Sequence, residues 1–210
     1  MRRRIVEMLA VMLTAVATGV QADTASAERR LATDTPRDEA LAQAVKPCAS
    51  RAPTRATGPG PHDYTHPSVG SRLWQDGDPG EPLFLRARVL DTCGKPVAGA
   101  RVQILHANEN GVHEENRFRT DLDTGERGEF KLLTVYPGYT GGIARHIHFL
   151  ISHSGYDTLV TRLFFKNDPS VDHGVEDLAM VLEEIHRDGR RGWVATYEFV
   201  LPAGAGKPSG

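Results

Sequence analysis

The chain has 210 residues, a net charge of −2 and 25% charged side chains with both signs interspersed. That balance leaves no basic stripe for a nucleic acid, and past Val20 no apolar run suggests a membrane span.

Met1-Arg2-Arg3-Arg4 is a positively charged start, and Ile5 to Val20 is an apolar stretch broken only by Glu7 and small polar residues. Small-residue cleavage patterns follow at Val20-Gln21-Ala22 and Ala25-Ser26-Ala27. Residues 1–27 therefore read as a secretory signal peptide, too short and too weakly apolar for a stable span. Arg2-Arg3-Arg4-Ile5-Val6 also fits a twin-arginine signal loosely, but plain secretion is the preferred reading. The expected location is periplasmic or secreted. In an oxidising compartment Cys48 and Cys93 are either a disulfide or two unpaired thiols, and the sequence leaves both open.

Residues 28–66 are rich in Ala, Arg, Thr, Pro and Gly, with Arg55-Ala56-Thr57-Gly58-Pro59-Gly60-Pro61 the most linker-like piece. They read as an extended N-terminal arm with a short helix near Asp38 to Ala44. Removing the signal leaves roughly 180 residues, enough for one core and short for two. That core is placed at residues 67–204, followed by a flexible tail at 205–210.

From Pro82 the pattern is that of short strands. Leu83 to Leu90 is a strand, Asp91 to Pro96 a turn, and Ala100 to Ala107 a second strand with Val102 and Ile104 alternating. Glu129 to Val135, Ile147 to Ser152, Leu159 to Phe165 and Trp193 to Leu201 complete the set. One helix is expected in the C-terminal half, from about Val175 to Arg187, with Leu178, Val181, Leu182 and Ile185 on one face. Many short strands with Gly/Pro turns predict an all-β chain folded as a β-sandwich.

The most informative stretch is Ala144-Arg145-His146-Ile147-His148-Phe149-Leu150-Ile151. Residues i and i+2 of a strand face the same way, so His146 and His148 point together. Two imidazoles on one face of a largely buried strand need partners, and a metal ion or hydrogen-bonding carbonyls and water would both serve.

Read together, several segments resemble the intradiol ring-cleavage dioxygenases, the catechol and protocatechuate dioxygenase family. They are Gly80 to Leu85, Val89-Leu90-Asp91, Gly94 to Ala100, Ile104 to Asn108, Thr120-Asp121, Gly128-Glu129-Phe130, Thr134 to Gly138, His146 to Phe149 and Leu163-Phe164-Phe165. The resemblance implies a β-sandwich holding one non-haem iron through two tyrosines and two histidines. It also implies a small catechol-like aromatic and O₂ as reactants, cleavage between the hydroxyl-bearing carbons, and compatibility with a homo-oligomer.

The histidine pair carries over as His146 and His148. The first tyrosine position falls on His113, after Gly111. The second falls on Thr140, or on Tyr139 if the Gly138-Gly141-Gly142 loop slips by one residue. The family's arginine before the histidines is Ile143 here, and the glutamine of its Thr-Gln-Leu-Tyr-Phe strand is Arg162.

The expected metal ligands are thus His113, Tyr139, His146 and His148, with Arg162 as a catalytic group orienting an anionic substrate. Iron, Fe(III) or Fe(II), is the expected ion, and copper also suits such a set, because a nitrogen-only site favours divalent ions while a phenolate suits ferric or cupric ones. Two rival readings are a three-histidine Fe(II) or copper enzyme with another substrate, and a non-catalytic metal- or ligand-binding module of transthyretin-like fold.

Protein from a secreting host is expected to begin at Asp23 or Glu28. Intact-mass measurement finding Met1 to Val20 still attached would contradict the signal-peptide reading.

Overall fold

The computed structural model describes residues 50–58, 68–166, 168–171, 174–187 and 189–204. The signal peptide, most of the arm, Cys48, the tail and His62, His66 and His173 lie outside the described residues. Cys93 is disulfide-bonded. Among the described residues no helix is long and apolar enough to cross a membrane.

Among the described residues there are nine strands: β1 (Ser68–Val69), β2 (Pro82–Asp91), β3 (Arg101–Leu105), β4 (Arg119–Asp123), β5 (Glu129–Val135), β6 (His146–Ser152), β7 (Leu159–Phe165), β8 (Ala179–Arg187) and β9 (Arg190–Leu201). They are hydrogen-bonded in the order β1-β4-β3-β6-β7-β8-β9-β2-β5. β8 joins the two layers. Ala179 and Met180 pair with the end of β7, and Val181 to Arg187 pair antiparallel with β9. One layer is therefore β1-β4-β3-β6-β7 and the other β8-β9-β2-β5.

The β-sandwich agrees with the sequence pattern, but the expected helix does not form. Over Val175 to Arg187 the chain makes only a single 3₁₀ turn, Glu176–Leu178, before entering β8. The spacing of Leu178, Val181, Leu182 and Ile185 mimics a helical stripe over a short window. The twelve-residue β9 instead takes this segment as its hairpin partner across Arg187 and Arg190, and tertiary pairing overrides local propensity. β4 is not among the strands expected from sequence, because Arg119-Thr120-Asp121-Leu122-Asp123 has few apolar residues.

The two layers enclose one core. Leu83, Leu85, Ala87 and Val89 of β2 face Val102 and Ile104 of β3, Ile147, Phe149 and Ile151 of β6, and Leu159, Leu163 and Phe165 of β7. Phe149 and Phe199 meet across the layers with centroids 4.9 Å apart, and Phe130 stacks on Phe199 at 6.1 Å. The described part of the arm, residues 50–58, runs along the side where β7 and β9 part company. Thr54 N–H donates to the Val200 carbonyl (2.9 Å) and Thr57 N–H to the Val160 carbonyl (3.1 Å). Arg55 is ion-paired with Asp177 at 2.7 Å.

Phe199→Ala removes the ring against which both other phenylalanines pack. It is expected to cost about 3–5 kcal/mol, read as a shift in the urea midpoint at unchanged m-value. A shift below about 1 kcal/mol would show that this junction is not central to the core.

Candidate functional site

β6 supplies the two central side chains. Ile147, Phe149 and Ile151 fill the core, so His146 and His148 leave the strand together on the outer face. Nδ1 of His146 lies 2.7 Å from the Ala144 carbonyl, which only accepts, so the hydrogen-bond network puts the proton on Nδ1 and leaves a lone pair on Nε2. This Nε2 is 3.1 Å from Nε2 of His148. Burial is the main cause holding both imidazoles below the usual histidine range. His148 is pulled down to about 3 by burial and then by His146, Arg162, His113 and His106. Both rings are neutral near pH 7, the form in which imidazole binds metals.

Sheet register brings in two cations. His148 is paired with Leu105 of β3 on one side and with Arg162 of β7 on the other, and Leu105 is paired with Arg119 of β4. Arg119, Leu105, His148 and Arg162 therefore form one row across four strands on the outer face. Arg162 thus lies beside His148 in the sheet. Arg119 carries no signal of its own in the sequence, because its strand, β4, is not legible there.

The loop after β3 folds back to a second loop after β5 through a backbone contact that only glycine permits. A Cβ on Gly111, which has φ +79°, would lie 1.7 Å from the Tyr139 carbonyl oxygen, and one on Gly138 would lie 2.4 Å from the Glu109 carbonyl oxygen. Asn108 organises the turn: its side-chain oxygen accepts from the N–H groups of Asn110 and Val112, both at 3.0 Å. Its carbonyl accepts from Gly138 N–H at 2.8 Å.

This pinning decides the fate of the other expected ligands. His113 lies two residues beyond the pinned glycine, exposed at the rim, with its ring centroid 6.2 Å from that of His148. Among the described residues no three His, Cys, Asp or Glu side chains converge to hold a metal ion. His113 thus stands beside His148 at the rim, while His146 and His148 alone have their nitrogens in contact.

Tyr139 is turned elsewhere. Its hydroxyl donates to Asp168 Oδ1 at 3.1 Å, and its ring carries the Arg145 guanidinium 3.8 Å from the centroid. Arg145 also faces Asp168 Oδ2 at 3.5 Å, and that carboxylate is fully buried. Thr140, at the other candidate position, donates to the Gly111 carbonyl at 3.2 Å. Tyr136 packs on Phe165 and Trp193, and burial pushes its phenol up to about 12.

His106 is a buried support with no distinctive signal in the sequence. Its Nδ1 lies 2.7 Å from the Ala107 carbonyl and its Nε2 2.7 Å from Thr134 Oγ1, so Nδ1–H donates and Nε2 accepts the threonine hydroxyl proton. Desolvation pulls it down to about 4. Phe118, at φ +55°, lies with its ring 5.2 Å from that of His106, and its carbonyl accepts from His106 N–H at 3.0 Å. The remaining described histidines are local: His153 Nδ1 accepts from Gly155 N–H at 3.0 Å, and His186 lies 3.5 Å from Glu184 at the surface. Asp121 is ion-paired with Arg101.

The sequence model of the Dioxygenase family matches residues 60–141. A hydroxyquinol 1,2-dioxygenase from Rhizobium sp. is 28% identical over 173 residues, covering 63% of this chain and 58% of that protein. The dioxygenase domain of a dioxygenase–carbohydrate-binding fusion from Streptomyces sp. SirexAA-E superposes with a TM-score of 0.63 at 28% identity, covering 72% of this chain and 99% of that one. In sequence and fold the chain is similar to these dioxygenases. The fold extends to 3-chlorocatechol 1,2-dioxygenase from Rhodococcus opacus 1CP, with a TM-score of 0.61 at 20% identity over 88% of this chain and 90% of that one. The chain spans about half the length of the curated relatives it matches.

An intradiol-type ferric centre requires two phenolate oxygens beside two imidazoles. Here the imidazoles fit: the 3.1 Å between their Nε2 atoms is a gap that one ion bound at about 2.0–2.1 Å to each would span. The phenolates do not fit as placed, because the Tyr139 hydroxyl donates to Asp168 and the Tyr136 ring is packed against Phe165 and Trp193. The full ferric donor set is therefore not present among the described residues.

His106 makes acid stability testable. A group whose folded pKa lies below its unfolded value contributes stability that is complete above the unfolded pKa and is lost as pH falls through the folded one. For His106 that window runs from about 6.5 down to about 4 and is worth on the order of 3 kcal/mol. Unfolding free energy is expected to fall over this window, and less steeply in His106→Gln. Identical pH profiles for the two proteins would contradict the assignment.

Proposed function

We propose that this chain is an O₂-dependent oxidoreductase of the intradiol type acting on a catechol-like aromatic at the outer-face site around His146 and His148. The carrying observation is the pair of neutral imidazoles converging 3.1 Å apart with a guanidinium beside them in sheet register. Relatives named for hydroxyquinol, catechol and chlorocatechol support the substrate class. In such a reaction the bond between the two hydroxyl-bearing carbons breaks and each carbon gains one oxygen atom from O₂. The four-electron oxidation of the ring then matches the four-electron reduction of O₂.

Within this reading His146 and His148 hold a non-haem metal, whose role is to bind and polarise the diol. Ala144 fixes the tautomer of His146 and so the direction of its lone pair. Arg162 meets the negative charge of an ionised diol; among the described residues it has no carboxylate partner to neutralise it. The pinned loops carrying His113 and Thr140 form the wall of the site. The export signal read in residues 1–27 supports a location outside the cytoplasm for this chemistry. Loss of the tyrosine positions favours a second reading, a protein that binds a diol without cleaving it.

Iron-loaded protein is expected to consume O₂ with catechol, hydroxyquinol or a chlorocatechol. His146→Ala and His148→Ala should each lose most bound metal and drop O₂ uptake on the order of a hundredfold, with the fold intact because the packing of β6 rests on Ile147, Phe149 and Ile151. Normal metal content in either variant would remove the pair as ligands. Diol binding without O₂ uptake in the wild type would favour the binding reading.

A further inference from the structure

The absence of both phenolates among the described residues changes what this site selects. An imidazole pair carries no charge, and the row across the sheet adds the guanidinium of Arg162 beside His148. Arg162 is the fixed positive neighbour of the imidazoles, paired in register with His148. Nothing anionic from the described residues faces the two Nε2 atoms. Asp168, the buried carboxylate of the neighbouring loop, is spent on Tyr139, Arg145 and the Ser170 N–H. A cation placed between these rings would meet two nitrogens and an electropositive surround. Such a position holds a metal weakly by itself and strongly favours anionic oxygen ligands that arrive with it.

We propose that His146 and His148 form a phenolate-free site for a borderline divalent cation, which is completed by a bidentate anionic diol whose charge Arg162 balances. The inference rests on the metal-binding part of the proposed function and adds the donor set, the charge of the ion and the mutual dependence of metal and diol. Tyr139 is excluded from the donor set by geometry. Its hydroxyl proton is given to Asp168, and its ring is covered by Arg145. Moving it to the histidines would strand a buried carboxylate and a stacked guanidinium, a cost that a single metal–oxygen contact must overcome. The diol supplies what the family's tyrosinates would supply, two negative oxygens at once. By linkage, whatever factor the metal adds to diol affinity the diol must add to metal affinity.

The test uses the full chain with Zn(II) and 4-nitrocatechol, whose visible spectrum reports its ionisation and chelation. Zn(II) is expected to tighten nitrocatechol binding at least about tenfold, nitrocatechol to tighten Zn(II) by the same factor, and His148→Ala to abolish both effects. Arg162→Gln should weaken nitrocatechol several-fold more than it weakens Zn(II). Ferric-loaded protein without diol should lack a phenolate-to-iron band, and Tyr139→Phe should leave metal content as it is. A visible band in the ferric protein that Tyr139→Phe, Tyr136→Phe or Tyr64→Phe removes would overturn the inference and leave the proposed function standing. Zn(II) binding through His148 that nitrocatechol does not affect would also overturn it. Absence of any His148-dependent metal binding would overturn both. The expected coupling without O₂ uptake by iron-loaded protein would support the inference and refute the oxygenase reading.

Discussion

The site depends on the division of β6 between two environments. Ile147, Phe149 and Ile151 are fully buried against the opposite layer, and their burial fixes the strand's rotation about its own axis. A slip by one residue would place two imidazoles in the core and three apolar side chains outside, a change that apolar transfer alone makes prohibitive. His146 and His148 are thus held on the outer face by residues that take no part in binding. Ladders to β3 and β7 on either side then set which side chains flank them, and Arg162 is one.

A second constraint is the contact between the loops that follow β3 and β5. Gly111 and Gly138 let two backbones approach where any side chain would collide, and Asn108 closes the turn. The contact makes a wall for the site, and it also fixes which side chains the wall presents. Thr140 faces the Gly111 carbonyl, Tyr139 is handed to Asp168, and His113 is carried out to the rim. The sandwich that the chain shares with the dioxygenases is therefore kept, with neutral imidazoles and the Arg162 guanidinium on its outer face.

Charge and solvation connect these features. Burial keeps His106, His146 and His148 neutral, and each buried ring is satisfied by a specific oxygen or by its neighbour: Ala107 and Thr134 for His106, Ala144 for His146. Asp168 is tolerated inside because Tyr139, Ser170 and Arg145 surround it. Arg162 and Arg119 project from the same row of the sheet, so the site's positive field is a product of strand register rather than of any local run of basic residues.

Alternation of apolar residues was enough to determine the sandwich, most of its strands and the shared face of His146 and His148, because a period of two is a local property of the chain. Arg162 beside the site was legible too, through the family resemblance of its strand. The segment from Val175 to Arg187 was not, since a short apolar stripe fits a helix as well as a strand and only the length of β9 decides between them. β4 escaped notice because its outer face is charged and Leu122 is its one apolar residue. The donor set also lay beyond the sequence. Whether Tyr139, Thr140 or His113 faces the histidines depends on how two glycine loops touch across the fold, and on a buried carboxylate 29 residues from Tyr139 that competes for its hydroxyl. Spacing along the chain carries no information about such a competition, because it is settled by desolvation and by contacts that exist only once the sandwich has closed.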